Sequence, residues 1–178
     1  RDLHNSEHSF PTRRSSELPE GPVFYQPTRS DAGEMDAEAR AAVALAPERV
    51  VAKLPATLEA VTLATQLRRD GVRCALTAVY SPAQALLAHE AGCAWIIPYV
   101  DRAARHSAGA VVVEQAAVLE QLDSPTRILA ASLKSGPQVA EAVLDGAHDV
   151  TAPLAVLRAL AGHPLTEAAV REFAAHWE

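Results

Sequence analysis

The feature that most constrains the fold is a regular alternation of short apolar runs and helical segments, which extends from Gly21 to the end of the chain. The apolar runs predict β-strands at residues 23–27, 50–54, 74–79, 94–100, 127–132 and 148–153. The spacing of apolar residues between and after these runs predicts helices at 36–45, 57–71, 81–92, 109–122, 137–146, 154–162 and 166–177. Each strand followed by a helix indicates parallel strands joined by right-handed crossovers, and therefore an α/β fold.

Two α/β architectures fit this alternation: a doubly wound open sheet and a (β/α)8 TIM barrel. A nucleotide-binding doubly wound sheet usually carries a glycine-rich first turn, which this sequence lacks. In a barrel, the carboxyl ends of several strands converge on one pocket, and those ends carry the functional side chains. Polar residues stand at or near the ends of five successive predicted strands: Gln26, Lys53, Thr77, Tyr99 and Ser132. We therefore expect an incomplete barrel of about six β–α units and a C-terminal helix, with the first two units missing.

The first twenty residues do not follow the alternation. They show neither helical nor strand periodicity, and their low apolar content is typical of disorder. The stretch "HSFPTRRSS" at 8–16 also resembles the translation of a widely used DNA sequencing adapter. We expect residues 1–20 to be a non-native or disordered segment, and residues 21–178 to form the partial barrel domain.

The bulk composition excludes several kinds of partner. A formal charge of -6 with no basic stripe argues against nucleic acid. No apolar run approaches the roughly 20 residues that a membrane span needs, and no signal peptide is visible. Cys74 and Cys93 have the pattern of reduced, buried thiols, which indicates a cytoplasmic protein. No zinc-binding or phosphate-loop motif is present, so neither a zinc site nor a phosphate loop is supported.

Lysine is rare in this chain and therefore informative. Of 16 basic residues, all are arginine except Lys53 and Lys134. Lys53 follows apolar residues in "VVAKLPAT", where desolvation favours the neutral, nucleophilic amine; a guanidinium cannot serve in that role. A lysine that snorkels from the end of a strand would show the same pattern. Lys134 is the rival amine, but Ser135 and Gly136 place it in a solvated loop.

Several motifs together resemble one family. "VVAKLPAT", "LTAVYSPAQALLAHEAGCAWIIPYVDR" and "RILAASLKS" are similar to segments of the small transaldolase family, which includes fructose 6-phosphate aldolase. "HPLTEAAVREFAAHW" is similar to that family's C-terminal helix. The resemblance covers about residues 21–178. It implies a (β/α)8 barrel and a class I aldolase mechanism, in which a lysine forms a Schiff base without metal or organic cofactor.

The resemblance also implies roles for individual residues. Lys53 matches the Schiff-base lysine, and Tyr99 matches the tyrosine that fructose 6-phosphate aldolases use for proton transfer. Gln26 would order a catalytic water, and Thr77 would hold the same water. Arg102 and Ser132 match the family's phosphate clamp. Without the resemblance, the pattern favours an interior tyrosine with a satisfied hydroxyl at Tyr99. For Arg102 it fits a surface ion pair with Asp101 as well as a phosphate ligand.

Alternatives for the activity remain open at this point. Gln26 and Tyr99 favour an aldolase that cleaves or transfers a dihydroxyacetone unit of a sugar phosphate. A transaldolase proper of the pentose phosphate pathway is the close alternative, and a non-catalytic truncated chain is the alternative from another class. The family's first-strand aspartate and second-strand Thr–Asn pair have no counterpart here. The resemblance further implies a homo-oligomeric ring assembled through the C-terminal helix.

Overall fold

Parallel strands that alternate with helices make up the part of the chain described by the computed structural model, residues 21–106 and 109–176. The strands are β1 (Val23–Tyr25), β2 (Val50–Pro55), β3 (Cys74–Val79), β4 (Trp95–Pro98), β5 (Arg127–Ala130) and β6 (Asp149–Val150). The helices are α1 (Ala32–Leu45), α2 (Leu58–Arg69), α3 (Pro82–Glu90), α4 (Val100–Arg105), α5 (Val111–Gln121), α6 (Gly136–Leu144), α7 (Leu154–Ala159) and α8 (Pro164–Ala175). The predicted α/β alternation is confirmed.

The order of the strands decides between the two architectures. Every strand pairs in parallel with the next one along the chain, so the sheet reads β1-β2-β3-β4-β5-β6 without the reversal of a doubly wound sheet. The sheet is also curled, because Phe24 of β1 contacts Trp95 of β4 edge-to-face with ring centroids 5.2 Å apart. The fold is therefore an incomplete (β/α)8 barrel, and the doubly wound alternative is wrong.

The curled sheet has two apolar faces, as expected of a parallel sheet covered on both sides. Its outer face packs against the helices, where Leu54, Leu76 and Ile96 are fully buried. Its inner face carries a smaller cluster of side chains from alternate strand positions. The members of this inner cluster are Val51, Ala75, Ile97, Leu129 and Ala131, with Phe24, Trp95 and Tyr99 packed against them.

Side-chain caps explain where several helices begin. The Asp31 carboxylate accepts hydrogen bonds from the backbone of Gly33 and Glu34, so α1 starts at Ala32, four residues before its predicted start. Thr57 caps α2 through the backbone N–H of Ala60, and Ser135 caps α6 through that of Gln138. In α2 and α6, the cap places the start of the helix shortly after the carboxyl end of a strand.

Four predicted strands, at 23–27, 94–100, 127–132 and 148–153, are shorter than their apolar runs, and two of them differ most. The run 94–100 divides into β4, which ends at Pro98, and α4, a helix that the sequence did not predict. Pro98 has no N–H for a ladder, and the backbone of Val100 bonds instead to the carbonyl of Ala131. The run 148–153 forms only the two-residue β6.

The assignment of residues 1–20 lies outside the described residues and stays a prediction, as does the extension of the last helix to residue 177.

Candidate active site at the carboxyl ends of the strands

The site residues named above lie at one end of the sheet, where the strands give way to loops. Lys53 and Thr77 lie near the ends of β2 and β3, Tyr99 directly follows β4, and Ser132 follows β5. Because the strands are parallel and paired in register, their carboxyl ends share one rim of the half-barrel. The position of this rim follows from topology alone, whereas the contacts along it depend on individual side chains.

Lys53 points into the interior of the half-barrel. Its neighbours Ala52 and Leu54 are fully buried in the outer cluster, and side chains alternate between faces along a strand, so Lys53 shares the inner face with Val51. Lys53 is half-buried and lies opposite Ala75 in the register of β2 and β3. The arrangement sets a single amine among apolar side chains at the rim.

Tyr99 is the centre of the contacts at the rim. The ammonium nitrogen of Lys53 lies 6.0 Å from the centroid of the Tyr99 ring, and the guanidinium carbon of Arg102 lies 5.3 Å from it. The Thr77 hydroxyl, fully buried, lies 3.4 Å from the Tyr99 hydroxyl, which is long for a direct O–H···O bond. The structure thus brings four of the six named residues together around one aromatic ring.

The chain leaves regular geometry at two points of this rim. Ala78 has a φ of 55°, and the register of β3 with β4 shifts between Thr77 and Val79. Because of this bulge, Thr77 faces the interior while Val79 joins the outer cluster. Ser132 has a φ of 64°. A left-handed backbone costs a non-glycine residue roughly 1–3 kcal/mol, and such strain clusters at functional sites.

Ser132, in the loop after β5, and Arg102, in α4, lie on neighbouring segments that are joined through the backbone. Ala131 donates its N–H to the carbonyl of Pro98, and Val100 donates to the carbonyl of Ala131. Ser132 is half-buried, and Arg102 is exposed in the first turn of α4. The residue after Ser132, Leu133, is fully buried and anchors this loop. The Ser132 hydroxyl and the Arg102 guanidinium, on adjacent segments, are groups suited to hold a phosphate.

Gln26 stands apart from the contacts around the Tyr99 ring. It is exposed and follows the end of β1, where one further step of the register would set it beside Lys53. The segment after β1 is tied to α1, because Tyr25 and Thr28 donate hydrogen bonds to the Glu38 carboxylate. Burial alone would raise the pKa of Glu38, but these hydrogen bonds outweigh it and lower that pKa.

Lys134, the rival amine, is exposed, as the sequence predicted. It lies in the loop between β5 and α6, two residues beyond Ser132. Its backbone N–H donates to the side-chain oxygen of Gln138. Of the two lysines, only Lys53 therefore combines partial burial with a place on the inner face.

The structure adds two side chains to the candidate site, Tyr80 and Asp101, to which the sequence assigned no role there. Tyr80, directly after β3, contacts Tyr99 edge-to-face with centroids 6.0 Å apart. Asp101 lies between Tyr99 and Arg102 in the chain, in the first turn of α4, and it forms an ion pair with Arg105. Tyr80 could have been found by its position, since it also follows a strand end. Asp101 was considered only as an ion-pair partner of Arg102; the structure pairs it instead with Arg105, in a helix that was not predicted.

The two cysteines lie outside this rim. Both are buried, and burial raises the pKa of each thiol to about 12, as for unreactive core thiols. Within residues 21–106 and 109–176, no group of three or more histidine, cysteine or acidic side chains is arranged to hold a metal ion. Over the same residues, no helix combines the length and hydropathy needed to cross a membrane.

Comparison with known proteins gives one consistent result. The sequence model of the family described as "Transaldolase/Fructose-6-phosphate aldolase" matches residues 17–178. A "Probable transaldolase" of Phenylobacterium zucineum is 38% identical over 160 residues, which are 89% of this chain and 73% of that protein. A "Probable transaldolase" of Chlorobium phaeobacteroides is 37% identical over 163 residues, 90% of this chain and 72% of that protein. One of Desulforudis audaxviator is 36% identical over 167 residues, 93% of this chain and 77% of that protein.

Proposed function

This chain belongs to the transaldolase/fructose-6-phosphate aldolase family, and we propose that it is a class I aldolase in which Lys53 forms the Schiff base with a sugar phosphate. The observation that supports this proposal is the placement of Lys53. A half-buried amine faces the interior at the rim of the half-barrel, among apolar side chains and 6.0 Å from the Tyr99 ring. A lysine amine in this position can reach a carbonyl group that enters the half-barrel from the rim.

The reaction follows from the groups at the rim. The Lys53 amine adds to the ketone carbon of the substrate, and loss of water leaves an iminium ion. The C3–C4 bond then breaks, and its electrons convert the iminium into an enamine. The C4 hydroxyl loses its proton in the same step, so that the fragment beginning at C4 leaves as an aldehyde. Protonation of the enamine at C3 and hydrolysis release dihydroxyacetone and restore the amine.

Tyr99 is the proposed group for proton transfer in both directions. The 3.4 Å separation of the Thr77 and Tyr99 hydroxyls is suited to a shared water, with Gln26 as a further hydrogen-bonding group on that water. Arg102 and Ser132 would bind the phosphate at the far end of the substrate, where the planar guanidinium can form two parallel hydrogen bonds.

A transaldolase proper is the second candidate, and one observation favours it: the relatives named above carry the name "Probable transaldolase". The two activities share the Lys53 imine and the three-carbon enamine. They differ in whether that unit is released after cleavage or passed to a second aldehyde. The pair of Gln26 and Tyr99 supports release.

Borohydride trapping tests the Schiff base directly. We expect dihydroxyacetone or fructose 6-phosphate with borohydride to leave a covalent adduct whose mass maps to Lys53. The assay is run on the 178-residue chain and on the same chain completed by two family-like β–α units in place of residues 1–20. Lys53→Arg keeps the charge but not the nucleophile and should give no adduct.

Lys134→Arg is the matched control and should trap as the wild type does, because this exposed lysine lies outside the interior. An adduct on Lys134, or activity without any adduct, would overturn the proposed mechanism. No adduct and no activity in either form of the protein would favour a non-catalytic chain.

We also propose that α8 packs against another copy of the chain, as the family resemblance implies. All of its residues that are described are at least partly exposed, including the apolar side chains Leu165, Val170 and Phe173. A helix with such side chains in water is typical of an interaction surface. Sedimentation of the chain completed by two family-like β–α units, with and without Phe173→Ser, would test this, with dissociation expected for the variant.

A further inference from the structure

Two of the loops at the rim are built in the same way. Both follow a strand, and both begin the next helix with a serine followed three residues later by glutamine: Ser81 and Gln84 at α3, Ser135 and Gln138 at α6. A serine and a glutamine at this spacing can form the capping box of a helix; α3 has the whole box, whereas at α6 only the serine half is formed. Each glutamine also contacts a residue on a neighbouring segment of the rim: Gln84 contacts Ala56, and Gln138 contacts Asp101.

Gln138 connects the two loops that carry the candidate phosphate ligands. Its side-chain oxygen accepts the backbone N–H of Lys134 at 2.8 Å, in the loop of Ser132. Its side-chain nitrogen donates to the Asp101 carboxylate at 3.4 Å, in the turn of α4 that also carries Arg102. A backbone N–H can only donate, so the oxygen must face Lys134 and the NH2 group must face Asp101.

Gln84 forms the equivalent connection one step earlier on the rim. Its oxygen accepts the backbone N–H groups of Tyr80 at 2.8 Å and Ser81 at 3.2 Å. Its nitrogen donates to the carbonyl of Ala56 at 3.4 Å, in the loop after the strand of Lys53. Gln84 therefore braces the loops next to Lys53 and Thr77, whereas Gln138 braces the loops next to Arg102 and Ser132.

We infer that Gln138 is a positioning residue for phosphate recognition: its amide holds α4 against the Ser132 loop, so that Arg102 and Ser132 converge on one phosphate. The inference rests on the proposed function, which assigns these two residues to the phosphate. Asp101 is the receiving group, and its second oxygen pairs with Arg105 in the last turn of α4. The brace thus orients α4, and with it the Arg102 side chain over the Tyr99 ring.

Gln138→Glu removes the contact of residue 138 with Asp101 while it keeps the contact with the Lys134 backbone. Glutamate is an ordinary residue at this position of a capping box, so it can still accept the N–H of Lys134. It cannot donate to Asp101, and two carboxylates then face each other. The test measures the concentration of fructose 6-phosphate, and separately of dihydroxyacetone, that gives half-maximal borohydride trapping on Lys53.

For Gln138→Glu we expect the half-maximal concentration of fructose 6-phosphate to rise roughly tenfold, with that of dihydroxyacetone unchanged, because only the first probe carries a phosphate. Asp101→Asn in the same background supplies an amide that can donate to the introduced carboxylate, and it should restore most of the loss. Gln84→Glu is the matched control. Gln84→Glu should change the half-maximal concentrations of both probes by the same factor, because the loops that Gln84 connects adjoin Lys53.

The outcomes separate the inference from the function on which it rests. If neither the 178-residue chain nor its form completed by two family-like β–α units gives a Lys53 adduct with either probe, the proposed function fails and the inference fails with it. If the wild type is trapped but Gln138→Glu leaves fructose 6-phosphate unaffected, or shifts both probes equally, Gln138 is no more than a helix cap. Rescue by Asp101→Asn is a result that general loosening of the fold would not produce.

Discussion

Tyr99 links more of the candidate site than any other single residue named here. Its ring is approached by the Lys53 ammonium and the Arg102 guanidinium, its hydroxyl by the Thr77 hydroxyl, and its edge by Tyr80. Its backbone also bridges to Ala131, next to Ser132. A change that spares the ring therefore tests the chemistry of the hydroxyl without disturbing this packing.

Tyr99→Phe should lower aldol cleavage by about 10²–10⁴-fold, since it removes the proposed acid–base group and leaves the ring in place. Borohydride trapping on Lys53 should continue, because the amine and its surroundings are intact. The measurement is kcat for cleavage of fructose 6-phosphate beside the yield of the trapped adduct.

Thr77→Val gives the comparison for this prediction. It removes only the hydroxyl that lies 3.4 Å from Tyr99, so its effect should be smaller than that of Tyr99→Phe. Unchanged cleavage in Tyr99→Phe would remove the main support for the aldolase assignment. Transaldolase proper would then be the better description.

Among the elements, β6 is the shortest strand of the described sheet and depends on side chains for its position. Its Asp149 pairs with Arg127 of β5 at 3.1 Å and accepts a hydrogen bond from the Trp95 indole of β4 at 3.3 Å. The Arg127 guanidinium lowers the pKa of Asp149 below its ordinary value of 3.8; the Trp95 hydrogen bond and the nearby His148 act in the same direction, and burial opposes them.

This network predicts a contribution to stability that depends on pH. A carboxyl with a lowered folded-state pKa stabilises the fold above its unfolded pKa, and the stabilisation is lost as the pH falls through the folded value. In the chain completed by two family-like β–α units, Asp149→Asn should therefore lower the melting temperature by roughly 1–4 °C at pH 7, because the ion pair is partly exposed. The difference from the wild type should shrink as the pH falls from about 5 to below 3.8.

Glu141→Gln is the control for this experiment, since it removes one negative charge from an exposed position on α6. Its melting temperature should stay close to that of the wild type throughout. A difference between Asp149→Asn and the wild type that persists undiminished at low pH would show that the ion pair is not its source.

At the scale of the whole molecule, the sheet of the described residues is open. β1 pairs only with β2, and β6 only with β5, so each presents an unpaired edge within the described part of the chain. The inner cluster around Val51 and Ile97 faces the space between those edges. Unpaired edges beside an apolar face favour pairing with other chains.

We therefore expect the 178-residue chain, expressed alone, to associate in a concentration-dependent way and to melt without a single cooperative transition. Replacement of residues 1–20 by two family-like β–α units, carrying the family's Asp and Thr–Asn positions, should give a discrete species that melts cooperatively and is trapped on Lys53. Sedimentation velocity and thermal melting of both forms measure this. A monodisperse, cooperatively melting 178-residue chain would contradict it.

The amino-acid sequence by itself determined the α/β alternation, because the signals are local. Apolar runs bounded by turn residues and helices begun by Ser, Thr or Asp depend on neighbours in the chain. The strand-end positions of Lys53, Thr77, Tyr99 and Ser132 followed from the same pattern, and the motifs around them carried the resemblance to the family that comparison confirmed. The lengths of the strands could not be predicted as well from the sequence, because hydrogen bonding to the neighbouring strand decides where each strand ends.

Only the tertiary structure decided what those residues touch. Thr77 and Tyr99 are 22 residues apart and Asp101 and Gln138 are 37 residues apart, so their contacts depend on strand order and curl rather than on local propensity. The left-handed backbone at Ser132 is held by its surroundings, since a serine alone disfavours it. Helix α4 likewise forms where Val100 bonds to Ala131, the residue directly after β5. An isolated "YVDR" has no such partner to mark the start of a helix.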